Sequence, residues 1–534
     1  MASTARDGSG PDGRGPDGRG PNGRRPGGAG IDRPLMLLAS VVVLGSIMSI
    51  LDTTIVNVAL DALGKDLHAS LTSVQWVATG YLLSLSTVIP LTGWAIERFG
   101  AKQVWIGSTV LFLAGSALCG AAWSIGSLIV FRVLQGFGGG MIMPVGQTIM
   151  AQAAGPARMG RVMSIIGVPM MLGPILGPVI GGVLVQDASW RWIFYVNVPI
   201  GVVALFLAVK LLPRAEVSRR ERLDLRGLAL LSPGLAFLIY GLSEAGTSGG
   251  FGGTQTLVGV GVGVTLLVLF LLQSVRRPGL ALIDLRLFKD RSFSAGAGTS
   301  LMFGIALFGA MILLPLYYQI VRGRGALAAG LLLAPQGIAS AMFMPLAGRL
   351  TDTIGAGRVV LGGMAVMCLG TAGFAEVGPH TSYVFLCGAL FVRGIGFGFT
   401  MMPAMAASYG TLEHSQVPRA TTALNIIQRV GGSIGTAVMA VTLQREMTSG
   451  LAVHGFKAGA GSLNAVSSVP PALLEKVSPV LAHSFAKTFQ LALVLTAVGF
   501  IPAAFLPRRA AAPVGPGRAV PTGHPSRDPI LMGE

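Results

Sequence analysis

Charge is scarce in this chain. Only 11% of its 534 residues are Asp, Glu, Lys or Arg, against about 25% in an ordinary soluble domain. With 52% hydrophobic residues and a mean hydropathy of +0.69, that shortage excludes a typical soluble enzyme and points to a polytopic membrane protein. Cysteine is scarce too. Cys119, Cys368 and Cys387 stand in or beside apolar runs with no pairing pattern, so neither a disulfide framework nor a thiolate metal site is expected. The six histidines show no ligand spacing, and no metal is expected. The first 33 residues lack an apolar segment and repeat "PDGRG PDGRG PNGRR". This reads as a disordered basic tail, not a cleavable signal peptide. No phosphate-binding loop is present either, because "GFGGG" lies inside an apolar run without the Lys-Ser/Thr pair that such a loop needs. No nucleotide is therefore expected as energy source. No Ser/His/Asp set or paired carboxylates suggest an enzyme.

What the chain has in abundance is glycine (77) and proline (31), both frequent in membrane helices. A spanning helix needs about 20 mostly apolar residues, and on that rule fourteen spans are predicted. The expected fold class is an all-α polytopic membrane protein: two six-helix bundles with pseudo-two-fold symmetry plus two inserted central helices. Residues 1–33 form the basic tail and 34–212 the first bundle. Residues 213–291 hold a linker and the inserted pair. The second bundle is 292–507, with an outer loop at 446–485, and 508–534 form a C-terminal tail. With the N-terminus placed inside, inner segments carry 28 basic residues, outer loops 8, and the spans three, Arg132, Arg393 and Arg429. This asymmetry predicts both termini in the cytoplasm of a bacterial cell, the protein lying in the cytoplasmic (inner) membrane. The net charge of +17 is then an orientation and anionic-lipid signal, and no nucleic-acid partner is expected.

An internal repeat supports the two bundles. Residues 90–104, "PLTGWAIERFGAKQV", recur as "PLAGRLTDTIGAGRV" at 345–359, with six identities and an acid at Glu97 and Asp352. A weaker echo links "FRVLQGFGGGMIMP" (131–144) to "FVRGIGFGFTMMP" (391–403). Such repeats mark secondary transporters, whose substrate site lies between the halves near the midplane.

Five stretches then carry a resemblance. "GWAIERFGAK" (93–102), "RVLQGFGGG" (132–140), "GPILGPVIGG" (173–182), "LDTTIVNVAL" (51–60) and "WRWIFYVNVPIG" (190–201) resemble motifs of the major facilitator superfamily, in particular its fourteen-helix drug:proton antiporter branch. The likeness runs from about residue 35 to 507. It departs from the usual pattern at Glu97, where Asp is usual, and at Asp61, where Pro is usual. The resemblance implies a proton-coupled exporter of hydrophobic or amphipathic small molecules that works by alternating access. A proton-coupled transporter of a polar metabolite is the alternative, and a non-transporting membrane protein a third class. The expected partners are a small-molecule substrate, protons and the lipid bilayer, with the protein a monomer. The energy source is the proton gradient, without a cofactor.

The residues suggest how. Asp52 is an acid deep in a predicted span, and a carboxylate in hydrocarbon costs several kcal/mol. At about 1.5 Å per residue, Asp52 and Arg132 lie at similar depth in the outer half. Burial favours the protonated carboxyl and a nearby Arg the ionised one, so Asp52 can load and release a proton while Arg132 stabilises the ionised state. Asn57, Gln135 and Met143 are candidates for the substrate cavity. Gly93, Glu97, Arg98, Gly100 and Lys102 form a candidate cytoplasmic gate, with the acid pairing to a neighbouring helix end. Gly173, Gly177 and Gly181 form a small-residue strip, interrupted by Pro174 and Pro178, which can kink a helix. The strip reads as a packing surface or as a seal between the halves.

Overall fold

In the computed structural model, residues 32–155, 158–213, 222–248, 250–277, 281–453 and 471–508 are described, and among them no strand occurs. Lipid offers no partner to a bare peptide group, so long apolar runs satisfy their backbones internally as helices. The first repeat contains α1 (Arg33–Asp66), α2 (Leu71–Val88), α3 (Leu91–Phe99), α4 (Ala101–Gly120), α5 (Ile125–Ala154), α6 (Met159–Asp187), α7 (Trp192–Tyr195) and α8 (Asn197–Leu211). The inserted pair is α9 (Leu225–Ser248) and α10 (Thr254–Arg276). The second repeat contains α11 (Arg291–Leu316), α12 (Ala326–Leu332), α13 (Ala334–Ile354), α14 (Ala356–Ala372), α15 (Tyr383–Tyr409), α16 (Val417–Val453), α17 (Pro471–Val498) and α18 (Phe500–Ala504). Among the described residues, 11 helices are long and apolar enough to cross a membrane, or up to 12 when a bent pair is counted. That pair is α2 with α3, bent by 55° at Pro90, which donates no backbone hydrogen bond.

The repeat seen in the sequence returns as contacts. A Cβ on Gly115 would lie 2.6 Å from the Gln135 Cα, and one on Gly370 would lie 2.6 Å from the Arg393 Cα. A Cβ on Gly138 would meet the Phe112 backbone N at 2.4 Å, and one on Gly396 the Met367 N at 2.3 Å. The α4/α5 and α14/α15 pairs are therefore packed backbone to backbone in one register. Gly100 and Gly355 end their helices with φ of 83° and 93°, a left-handed conformation that side-chain-bearing residues rarely adopt.

The two repeats meet mainly at one end. A single apolar cluster joins Met150, Met163 and Ile166 of the first repeat to Met344, Met402 and Tyr409 of the second. Toward the other end each repeat keeps a core of its own, around Phe194 and Val77 in the first and around Tyr317 and Phe485 in the second. The inserted pair touches both repeats. Ser232 Oγ donates to the Thr87 carbonyl at 2.6 Å, Tyr240 stacks on Trp76, and Leu238 and Leu242 pack on Ala437 of α16.

The outer loop expected at 446–485 is shorter than the sequence suggests. Helix α16 continues to Val453 and α17 starts at Pro471, and Lys487 pairs with Glu446 at 3.0 Å between the two. Polar residues hid these extensions, because a helix continued beyond the bilayer carries no apolar signal. The basic tail at 1–31, the linker at 214–221 and the C-terminal tail at 509–534 lie outside the described residues.

The paired glycines allow a matched test. Gly138→Ala or Gly396→Ala drives a methyl into backbone and should cost about 1–3 kcal/mol. Gly107 and Gly362 face open space, so Ala there should be neutral or stabilising by up to about 1 kcal/mol. Thermal melting of the four purified variants, followed by size-exclusion recovery in detergent, checks the ordering.

Candidate functional site

Asp52 sits just past the middle of α1 and is fully buried. Its carboxylate accepts three side-chain hydrogen bonds from two other helices. Arg132 Nη1 donates to Oδ2 at 2.6 Å, Gln135 Nε2 to Oδ1 at 2.8 Å, and Asn197 Nδ2 to Oδ1 at 3.0 Å. Arg132 is itself buried. Its Nη1 also donates to Gln135 Oε1 at 2.8 Å and its Nε to the Val77 carbonyl at 3.3 Å. The guanidinium lies over the Tyr81 ring, 3.9 Å from its centroid, a favourable cation–π contact. Asp52 and Arg132, which the sequence places only at similar depth, are thus in direct contact. Breaking a buried pair by removing one partner costs about 3–5 kcal/mol, so the two charges hold α1 against α5.

The local sequence explains each donor. Arg132 and Gln135 are one helical turn apart on α5 and reach the same acid. Gly115, Gly136 and Gly139 let α4, the α2 backbone and the Tyr81 hydroxyl come close to that face of α5. Asn197 opens α8 just after a break at Val196; Pro199, two residues on, has no N–H to continue the preceding turn. Its Nδ2 also donates to Ser116 Oγ at 3.1 Å, which in turn donates to the Phe194 carbonyl at 2.8 Å. Asn197 and Ser116 were missed as site residues by sequence reasoning. The one signal for Asn197 is its place in "WRWIFYVNVPIG".

The remaining expected residues divide. Gln135 belongs to the Asp52 cluster. Met143 is half-buried on the same helix, and Asn57 is exposed on α1. Glu97 reaches across to the second repeat: Arg419 Nε and Nη2 donate to its two oxygens at 2.8 and 2.9 Å. The second copy does the converse. Asp352 accepts from Arg161 Nε and from the Gly160 backbone N, both at 2.9 Å, on the first repeat. Each motif acid is therefore bound to an arginine near the start of the other repeat's fifth span. Gly93 seats α3 against Thr422 and Arg419. Arg98 is half-buried. Lys102 turns away from Glu97, and its Nζ donates to the Val209 and Leu212 carbonyls, capping α8. Arg161 and Arg419 were invisible as partners because single basic residues at helix starts look like orientation signals.

The glycine strip of α6 packs on α1 beside Asp52. A Cβ on Gly173, Gly177 or Gly181 would strike Ile50, Thr54 or Ile55. Thr54 Oγ1 donates to the Gly173 carbonyl at 3.2 Å, and α6 runs without a break through Pro174 and Pro178. Among the described residues, no group of His, Cys, Asp and Glu could hold a metal ion.

Comparisons with known proteins agree with this geometry. Residues 42–436 match the Major Facilitator Superfamily. The chain is 39% identical over 494 residues to a protein of Mycobacterium tuberculosis named multidrug resistance protein B homolog, covering 90% of this chain and 92% of that one. It is 30% identical over 420 residues to a putative multidrug resistance protein of Salmonella heidelberg, covering 78% and 85%. A solved proton:xylose symporter of the same superfamily has its fold, with a TM-score of 0.58 at 13% identity, over 87% of this chain and 96% of that one. The chain belongs to the Major Facilitator Superfamily and is a multi-pass membrane transporter.

Proposed function

We propose that this transporter is a proton-coupled exporter of hydrophobic or amphipathic small molecules, acting by alternating access in a bacterial cytoplasmic membrane. The observation that carries the proposal is the fully buried Asp52 held by Arg132, Gln135 and Asn197 between helices of one repeat. The names of the relatives support a drug-like cargo. The excess of basic residues on predicted inner segments supports cytoplasmic termini. Two shorter apolar stretches, Met159–Gly173 of α6 and Ala356–Ala372, support fourteen spans when added to the twelve, arranged as two six-helix bundles with the inserted pair between them in sequence. The protein works as a monomer, driven by the proton gradient without a cofactor or nucleotide.

The coupling follows from charge. In this conformation the Asp52 carboxyl is bonded to Arg132, and the cytoplasmic seam is closed by the Glu97–Arg419 and Asp352–Arg161 pairs and the methionine cluster. A proton reaching Asp52 from the outer side removes its charge and weakens its hold on Arg132. Helix α1 can then shift against α5 and, through the α6 strip packed on it, loosen the seam. Cargo binds from the inner side once the proton has left. Charge inside a low-dielectric core cannot persist unpaired, so proton and conformation are exchanged together.

Asp52→Asn should retain the site's shape and abolish gradient-driven export in everted vesicles, while the Asp52→Asn/Arg132→Gln pair should recover the lost stability but not transport. Export by either variant at the wild-type rate would contradict the coupling role. At the seam, Glu97→Arg and Arg419→Glu should each slow export about tenfold, and the double charge swap should restore most of the rate, as coupled sites do. Export rates of the four proteins in vesicles check this cycle.

A further inference from the structure

Three arginines lie deep in the spans, Arg132, Arg393 and Arg429, and among the described residues only Arg132 meets a carboxylate. Arg393 is satisfied by neutral acceptors. Its Nη1 donates to Gln336 Oε1, its Nη2 to the Ala306 carbonyl and its Nε to Thr371 Oγ1. The glycine contacts show that Arg393 occupies the place of Gln135 in the repeat, not of Arg132, so the second repeat has no acid–arginine pair at that level.

Arg429 is different. It is half-buried on α16, and no ion pair or hydrogen bond holds its guanidinium among the described residues. Its direction is fixed by the helix. One turn earlier on the same face, Asn425 Nδ2 donates to Gln147 Oε1 of α5 at 2.7 Å. The opposite flank, Ile434 and Ala437, packs toward α9, and Gly431 and Gly435 pack on α11. Arg429 therefore faces the space between the repeats, about 6 Å outward of the Asn425–Gln147 bridge at about 1.5 Å per residue. It lies within electrostatic reach of Tyr81. The Tyr81 hydroxyl is buried beside Thr53 and Ser49 of α1. Arg429 is thus a cation with no partner among the described residues, on the side of α16 that faces the first repeat. A half-buried guanidinium with no protein acceptor suits an anion, and its fork matches a carboxylate or sulfonate.

We propose that Arg429 is the anion-binding residue of the substrate cavity and that the preferred cargo is an amphipathic acid, its acidic group on Arg429 and its apolar body against neighbouring apolar side chains. This rests on the export reading above and narrows it, because the uncancelled positive charge also repels lipophilic cations.

The test uses three probes with one apolar body: pyrenebutyrate, its methyl ester and a pyrenebutyl-trimethylammonium. Binding is measured by fluorescence titration of the purified full chain in lipid nanodiscs, and transport separately in everted vesicles under an imposed pH gradient. The wild type should bind the carboxylate at least about tenfold more tightly than the ammonium, the usual scale for a charged hydrogen bond. Arg429→Gln should lose that preference and leave ester binding unchanged, and Arg429→Lys should keep part of it. Equal wild-type affinity for the three probes, or tighter binding of the ammonium, overturns the proposal without recourse to any variant. So does an Arg429→Gln variant that keeps the carboxylate preference or weakens all three probes alike. Carboxylate-selective binding lost in Arg429→Gln, with no gradient-driven movement of any probe, upholds the binding site and counts against export instead.

Discussion

The structure depends on one buried ion pair. Asp52 and Arg132 are both withdrawn from water, and a carboxylate there is tolerated only because a cation and two amide donors surround it. Much of the first repeat is arranged to make that surrounding possible. Glycines on α4 and α5 bring backbones together, the break before α8 delivers Asn197, and the glycine strip of α6 presses α1 into place. The same dependence is what the proposed coupling would use. Neutralising one member removes the reason for the others to stay where they are.

The two repeats share their scaffold and divide their chemistry. Gly115 and Gly370, Gly138 and Gly396, and Gly100 and Gly355 perform the same packing or turning duty in each. The seam is symmetric too, since Glu97 and Asp352 each grip an arginine of the opposite repeat. The deep polar groups are not symmetric. The first repeat keeps a self-neutralised acid–arginine pair, and the second keeps arginines facing neutral acceptors or open space.

Much of this was legible in the sequence because lipid simplifies the problem. Long apolar runs with few charges can only be helices, and a single acid among them stands out, so Asp52 and Arg132 could be placed at similar depth, though not in contact. The repeated loop motif singled out Glu97, and this acid does pair with a helix start. What stayed hidden was of two kinds. Asn197, Arg161 and Arg419 are residue types common at helix ends, and only the meeting of distant segments gives them partners. The extensions of α16 and α17 lie beyond the apolar window that defines a span. The partners of Lys102 stayed hidden for a related reason, because the carbonyls at the end of α8 that hold it come from a distant segment.

The central claim is that Asp52 is the group that takes up the transported proton. Infrared difference spectroscopy of the reconstituted protein, titrated from alkaline to acid pH, reads this directly through the C=O stretch of a protonated carboxyl shielded from water. The account expects one such band to titrate in the wild type and to be missing from Asp52→Asn. A band of the same position and size in both proteins would place the proton on another group and contradict it.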